Sequence, residues 1–161
     1  MLFNSSGGWS LSNTSLTDNA WNFVSFVSIN GNGTFYLNGN PDGTKNSIGS
    51  RSYGAIGNNG SEPYKGAIDE LRFYNRALSQ EELIKLYKTT SPTNPETGLV
   101  GYWSFNGADM SGTTAYDRSG RGNNGTLTNG PTLTIGRVGQ AVNFDGSNDS
   151  IDAGSPASLD D

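Results

Sequence analysis

The sequence predicts an all-β sandwich with one short helix, and three observations carry that prediction. Gly, Ser, Asn and Thr make up close to half of the chain, a composition that supplies many tight turns. Apolar residues are only 32% of the 161, yet 11% of all residues are aromatic, so a core must rest on Trp, Tyr and Phe. The apolar segments are short, rich in aromatic and β-branched residues, and bounded by Gly and Asn. The low aliphatic content alone would suit a disordered chain, but a net charge of only −5 and the aromatic content favour order.

The elements follow in chain order. Trp21 to Ile29 is the clearest strand, and Gly31-Asn32-Gly33 turns it into a return strand over Thr34 to Asn38. Tyr53 to Gly57 is a short strand between polar loops. Lys65 to Asn75 reads as one strand carrying Ile68, Leu71 and Phe73, with a bulge expected near Asp69-Glu70 to restore alternation. Ser79-Gln80-Glu81-Glu82 has the capping-box pattern, Leu78 and Leu83 take the staple positions, and a helix is expected over Ser79 to Tyr87. Residues 88–98 carry two prolines and no apolar anchor and read as a linker. Leu99 to Phe105, Gln140 to Phe144 and Ser150 to Ala153 are strands. Asp117 to Gly125 is a turn-rich loop, and Asp145 to Asp149 a tight turn. Trp21, Trp103, Phe105 and Phe144 sit in strand patterns and are assigned to the core.

Composition also excludes chemistry. With no Cys and no His, there is no disulfide scaffold, no thiol nucleophile, no Ser-His-Asp triad and no His-ligated metal. Ten basic against fifteen acidic residues leave no nucleic-acid footprint. No apolar run is long enough for a membrane-spanning helix, and Met1 to Ser6 carry neither a basic n-region nor a long apolar h-region. The carboxylates Asp69, Glu70, Asp117, Asp145, Asp149 and Asp152 are read as turn and metal carboxylates rather than as a glycosidase pair; Asp69 and Glu70 are adjacent, so a regular strand would point them to opposite faces. Asn-x-Ser/Thr triplets such as those at Asn32 and Asn124 are expected by chance in a chain so rich in these residues.

Three stretches carry a resemblance. Residues 98–154, GLVGYWSFNGADMSGTTAYDRSGRGNNGTLTNGPTLTIGRVGQAVNFDGSNDSIDAG, resemble the opening half of a LamG-like jelly-roll domain of the concanavalin A-like lectin/glucanase group. WNFVSFVSINGNGTFYLNGNPDG and GAIDELRFYNRALSQEELIKLY resemble its closing half. The order is reversed: residues 1–87 form the closing half, 88–98 the linker and 99–161 the opening half. A linker of this length spans about 35 Å fully extended, enough to join neighbouring family termini. The halves can therefore complete one sandwich as a circularly permuted monomer, or pair between molecules as a swapped homodimer. Intramolecular pairing is preferred, because a short tether raises the effective concentration.

The resemblance implies a concanavalin A-like jelly-roll β-sandwich acting as a non-catalytic binding module, with a polysaccharide or glycan as ligand, in a larger extracellular or cell-surface protein. An adhesion or spacer repeat that binds no sugar is the alternative. The resemblance also places Asp117, Asn123 and Asp69 near a structural calcium, with Asn124 and Glu70 beside them; the competing reading is that these side chains only cap turns. Trp9, Tyr53, Tyr64 and Tyr116 lie in or next to polar loops and are the candidate sugar platforms, with simple packing as the competing reading.

Overall fold

A computed structural model describes residues 13–14, 16–17, 19–46, 55–58, 63–89 and 97–153. The chain divides into two compact units, one of Met1–Ser50 with Arg76–Thr89, the other of Arg51–Asn75 with Thr90–Asp161. The described residues form several antiparallel sheets and one α-helix.

The first unit is a three-stranded meander with the helix. Strands β1 (Val24–Ile29), β2 (Asn32–Leu37) and β3 (Asn40–Lys45) pair in that order. Two-residue turns join them, Asn30-Gly31 and Asn38-Gly39, with φ of 51° and 74° in the first and 53° and 81° in the second. Positive φ at both central residues is the turn whose twist matches a β-hairpin, and Asn-Gly adopts it most cheaply. The first turn thus falls one residue earlier than Gly31–Gly33, and β3 is a strand that Asn40-Pro41-Asp42-Gly43 conceals under turn residues. Pro41 sits opposite Tyr36, beside a register irregularity on an outer strand, where a missing N–H is tolerated. Val27 and Phe35 are buried, and the Phe26 and Phe35 rings lie 4.6 Å apart.

Trp21 departs from the expected core: it is 38% exposed. The strand begins only at Val24, so Trp21 lies outside the paired ladder that holds its neighbours.

Helix α1 (Gln80–Lys88) starts at the predicted cap, with the Ser79 side chain accepting from the Glu82 N–H at 3.3 Å and Glu82 accepting from the Ser79 N–H at 2.8 Å. Arg76 grips the same Glu82 carboxylate through both terminal nitrogens, at 2.9 and 2.6 Å. These bonds hold the Glu82 carboxyl down at about 2. Leu78 and Leu83 are buried, and Ile84 lies so close to Gly39 that a Cβ there would stand 2.9 Å from its Cγ1. Ser79→Ala removes the cap and is expected to lower stability by about 1 kcal/mol, read as a shift of the urea midpoint.

The second unit holds the remaining strands. In chain order they are β4 (Ala55–Ile56), β5 (Lys65–Ile68), β6 (Leu71–Tyr74), β7 (Leu99–Trp103), β8 (Met110–Ser111) and β9 (Thr114–Ala115). They continue with β10 (Gly125–Thr128), β11 (Thr132–Ile135), β12 (Gln140–Asp145) and β13 (Ser150–Asp152). One sheet has the order β4-β13-β10-β9-β8, a second β11-β12-β5, and β6 pairs with β7. Strands on either side of residues 88–98 therefore pair within this one chain: β4 with β13, β5 with β12, β6 with β7.

The stretch from Lys65 to Asn75 is two strands, not one bulged strand. The chain breaks at Asp69-Glu70, where Glu70 takes φ +54°, and each half turns to a different partner. Every residue of β7 is buried. Trp103, Phe105 and Phe144 are each 1% exposed, as the strand pattern predicted, and Phe73 meets Trp103 edge-on at 5.8 Å.

Candidate functional site

The site centres on the loop after β9. It opens with Tyr116, whose N–H donates to the Asp109 carbonyl at 2.9 Å while the residue stays 42% exposed. Asp117 comes next and organises the rest of the loop. Its Oδ1 accepts from the N–H groups of Tyr102 at 2.9 Å and Ser119 at 2.8 Å; its Oδ2 accepts from the Ser119 hydroxyl at 2.8 Å and the Asn123 N–H at 2.9 Å. A carboxylate offers about four lone-pair sites, and all four are used here. The Asn124 side chain closes the loop by accepting from the Asp117 N–H at 3.0 Å.

The loop is tied to the core strand as well. Arg118 N–H donates to the Tyr102 carbonyl at 2.7 Å, and the buried Asn123 side chain donates to the Val100 carbonyl at 2.7 Å. Asp117, Arg118 and Asn123 thus satisfy polar groups of β7 that β6 does not reach, so the loop takes the place of a neighbouring strand. Tyr116, Arg118, Arg121 and Asn124 are the exposed side chains of this loop.

Asp69 has other partners. Its Oδ2 accepts from the Val138 N–H at 2.9 Å, within the turn between β11 and β12, and its Oδ1 is buried without a protein partner. Gly136 in that turn is required by the close approach, since a Cβ there would stand 2.7 Å from Asp69 Oδ2. Burial pushes the Asp69 carboxyl up to about 6; the neighbouring Glu70 charge adds to the rise, and backbone N–H groups oppose it. Glu70 accepts from the Tyr102 hydroxyl at 2.9 and 3.1 Å and pairs with Arg72 at 2.7 Å, and the Arg72 guanidinium lies 4.2 Å above the Tyr102 ring. Burial foremost, with Glu70 beside it, raises the Tyr102 hydroxyl above its ordinary range.

The structure thus joins Asp117 and Asn123 through a direct hydrogen bond, and gives Asp69 a separate role at a different turn. Among the described residues, no group of three or more acidic side chains is placed to hold a metal ion. The donors present do not fit a calcium site in this arrangement, because an ion at Asp117 would have to replace N–H donors already bound there.

The candidate platforms separate as well. Tyr64 is half-buried, donates its hydroxyl to the Ala67 carbonyl at 3.3 Å and stands edge-on to Phe144 at 5.9 Å; burial raises its phenol pKa. It packs rather than presents a face. Tyr116 is the exposed one of the two, and Trp9 and Tyr53 lie outside the described residues. Trp21 is the exposed aromatic that strand periodicity concealed; the turn-forming Asn19 and Asn22 beside it were the available signal. The remaining turn carboxylates serve the backbone: Asp149 accepts from the Asp145 N–H and Asp145 from the Ser147 N–H, at 2.9 and 2.7 Å.

Residues 2–84, about half of the chain, match the Laminin_G_3 family model, described as the concanavalin A-like lectin/glucanases superfamily. No curated protein and no solved structure gives a match.

Proposed function

The chain belongs to the concanavalin A-like lectin/glucanase superfamily, a lectin-like or adhesion module, and on that premise we propose that it is a non-catalytic, carbohydrate-binding part of a larger extracellular or cell-surface protein. The observation that carries the sugar reading is Tyr116. An exposed tyrosine stands at the start of a loop fixed by the Asp117 hydrogen bonds, and the same loop carries the exposed planar polar side chains of Arg118, Arg121 and Asn124. A loop backbone fixed in this way loses little conformational freedom on binding. Among the described residues, no helix is long and apolar enough to cross a membrane.

The non-catalytic part of the reading rests on the carboxylates. Asp117 and Glu70 are committed to internal donors, and Asp69 has one buried oxygen and one bonded to a turn. None of the three has a free oxygen aimed at solvent in the manner of a glycosidase pair.

A glycan array, followed by affinity electrophoresis in the polysaccharides it picks out, tests the proposal. Tyr116→Ala is expected to weaken binding about 30-fold, an aromatic anchor being worth ~2 kcal/mol. Silence across diverse glycans, or full affinity in the variant, would overturn the assignment. Melting in calcium and in chelator addresses the metal separately: an unchanged midpoint is expected, the Asp117 oxygens being occupied by hydrogen bonds, and a rise with calcium would overturn that reading.

One observation favours the adhesion reading. All four residues of β11 are exposed, with Ile135 at 85% and Leu133 at 43% on one face of an edge strand that carries no charge. Such an edge suits pairing with a protein partner. Glycan silence together with self-association that Ile135→Lys relieves would favour it over the lectin.

A further inference from the structure

We propose that Asn30-Gly31, at the tip of the β1–β2 hairpin, is a site of spontaneous backbone modification, at which the side-chain amide is lost through a cyclic imide. The chemistry needs an asparagine followed by a residue without a side chain, so that the next backbone nitrogen can reach the amide carbon. Among the described residues Asn precedes Gly six times, at 30, 32, 38, 106, 124 and 129, and the structure treats the six differently.

Five are restrained. Asn38 Oδ1 accepts from the Phe23 N–H at 2.9 Å, and the Asn38 N–H donates back to the Phe23 carbonyl at 2.8 Å. Asn106 Oδ1 accepts from the Gln140 N–H, and the would-be nucleophile, the Gly107 nitrogen, is itself bonded to Gln140 Oε1 at 2.7 Å. Asn124 Oδ1 accepts from the Asp117 N–H at 3.0 Å, and Asn129 Nδ2 donates to the Asn148 carbonyl at 2.9 Å. Asn32 is paired with Ile29 in the ladder, and the Gly33 after it is buried between two strands.

Asn30 has none of these restraints. It is exposed and lies outside both strands, and among the described residues neither its side chain nor the Gly31 N–H has a hydrogen-bond partner. A hairpin tip also opens at low cost relative to the strands behind it. In the opened turn the Gly31 nitrogen attacks Asn30 Cγ and gives up its proton; the C–N bond to the side-chain nitrogen breaks and ammonia leaves. Water then opens the five-membered imide at either carbonyl. One opening leaves an aspartyl residue, the other an isoaspartyl linkage that runs the backbone through the former side chain. The net change is one water consumed and one ammonia released, with one negative charge gained. The isoaspartyl form adds a backbone atom to a turn that closes with two residues, so it disturbs the β1–β2 register.

The test is incubation of the folded chain in mildly alkaline buffer, followed by peptide mapping with fragmentation that separates isoaspartyl from aspartyl. Conversion at Asn30 is expected about tenfold faster than at the five restrained steps, with the isoaspartyl product present, and the lead is expected to vanish in urea, where all six are equally free. An Asn30→Asp variant, which tolerates the left-handed turn, should show no early mass gain on the hairpin peptide. First conversion at any of the other five, an equal early gain in that variant, or no conversion at Asn30 while the urea-unfolded chain converts would each overturn the proposal.

Discussion

Replacing Asp117 with alanine is expected to destabilise the second unit by about 3 kcal/mol, more than the loss of any other single carboxylate in the loop region. The substitution removes four acceptor contacts at once, and all four freed donors, the N–H groups of Tyr102, Ser119 and Asn123 and the Ser119 hydroxyl, belong to buried residues. A hydrogen bond to a charged group contributes about 1.5–3 kcal/mol, but the four share one carboxylate and do not add. Solvent reaches some of the freed groups once the side chain is gone, which keeps the sum near the value of two such bonds. Asp117→Asn is the sharper control. Asparagine keeps one acceptor oxygen but turns an NH2 group toward N–H donors, so a loss of about 2 kcal/mol is expected from a nearly isosteric change. Both are read from urea unfolding, where a shifted midpoint at constant slope reports stability alone. A loss below about 1 kcal/mol in the alanine variant would mean that the loop does not brace β7. On the proposed glycan reading the same variant is also expected to weaken binding, because the bonds that hold the loop backbone after Tyr116 are gone.

The second large effect is pH-dependent and belongs to Asp69. Its carboxyl is raised from 3.8 to about 6 in the folded chain, chiefly by burial. A raised folded value means that the folded state holds its proton more tightly than the unfolded one. The contribution to stability is therefore fully present below about 3.8 and is lost as pH rises through about 6. A shift of this size corresponds to about 3 kcal/mol, and water access to a half-buried group reduces it to about 1–1.5 kcal/mol. Asp69→Asn should remove that pH dependence. It keeps an oxygen to accept from Val138, carries no charge to desolvate, and is expected to exceed the natural chain by about 1 kcal/mol at pH 7 while matching it near pH 4. The difference between the two stability curves isolates Asp69 from the other carboxylates. A flat difference across this range, or a variant weaker at pH 7 than at pH 4, would show that the Asp69 charge is not the destabilising feature of the turn.

Much of the fold was legible because it is written in local chemistry. The capping box at Ser79 to Glu82 names the helix start outright, since the reciprocal side-chain bonds need only residues three apart. The aromatic strand at β7 and the cores at Phe105 and Phe144 follow from apolar runs with turn residues around them. Strand β3 was concealed because its Pro, Asp and Gly signal a turn, and only pairing along β2 makes them a strand. Strands β10 and β11 were also missed: β11 is exposed along its whole length, so burial imposed no alternation on it. Trp21 shows the opposite error, an apolar residue that local pattern assigns to a strand and the ladder leaves outside.

The candidate site was legible in part for the same reason. Residue types placed Asp117 and Asn123 together in a Gly-rich loop, and the loop does join them. That Asp69 belongs to another turn depends on a contact 69 residues along the chain, with the Val138 N–H. Tyr64 and Tyr116 both border polar loops in the sequence, yet one packs against Phe144 and the other is exposed.

The sequence by itself determined the all-β class, the helix, the absence of thiol and imidazole chemistry, and the loop that holds the site, because each follows from composition or from residues within a few positions of one another. The tertiary structure decided which carboxylate oxygens are spent on internal donors, which aromatic faces reach solvent, and which strands on the two sides of residues 88–98 pair. Those outcomes depend on hydrogen-bond partners and burial supplied by distant segments, and no local pattern carries that information.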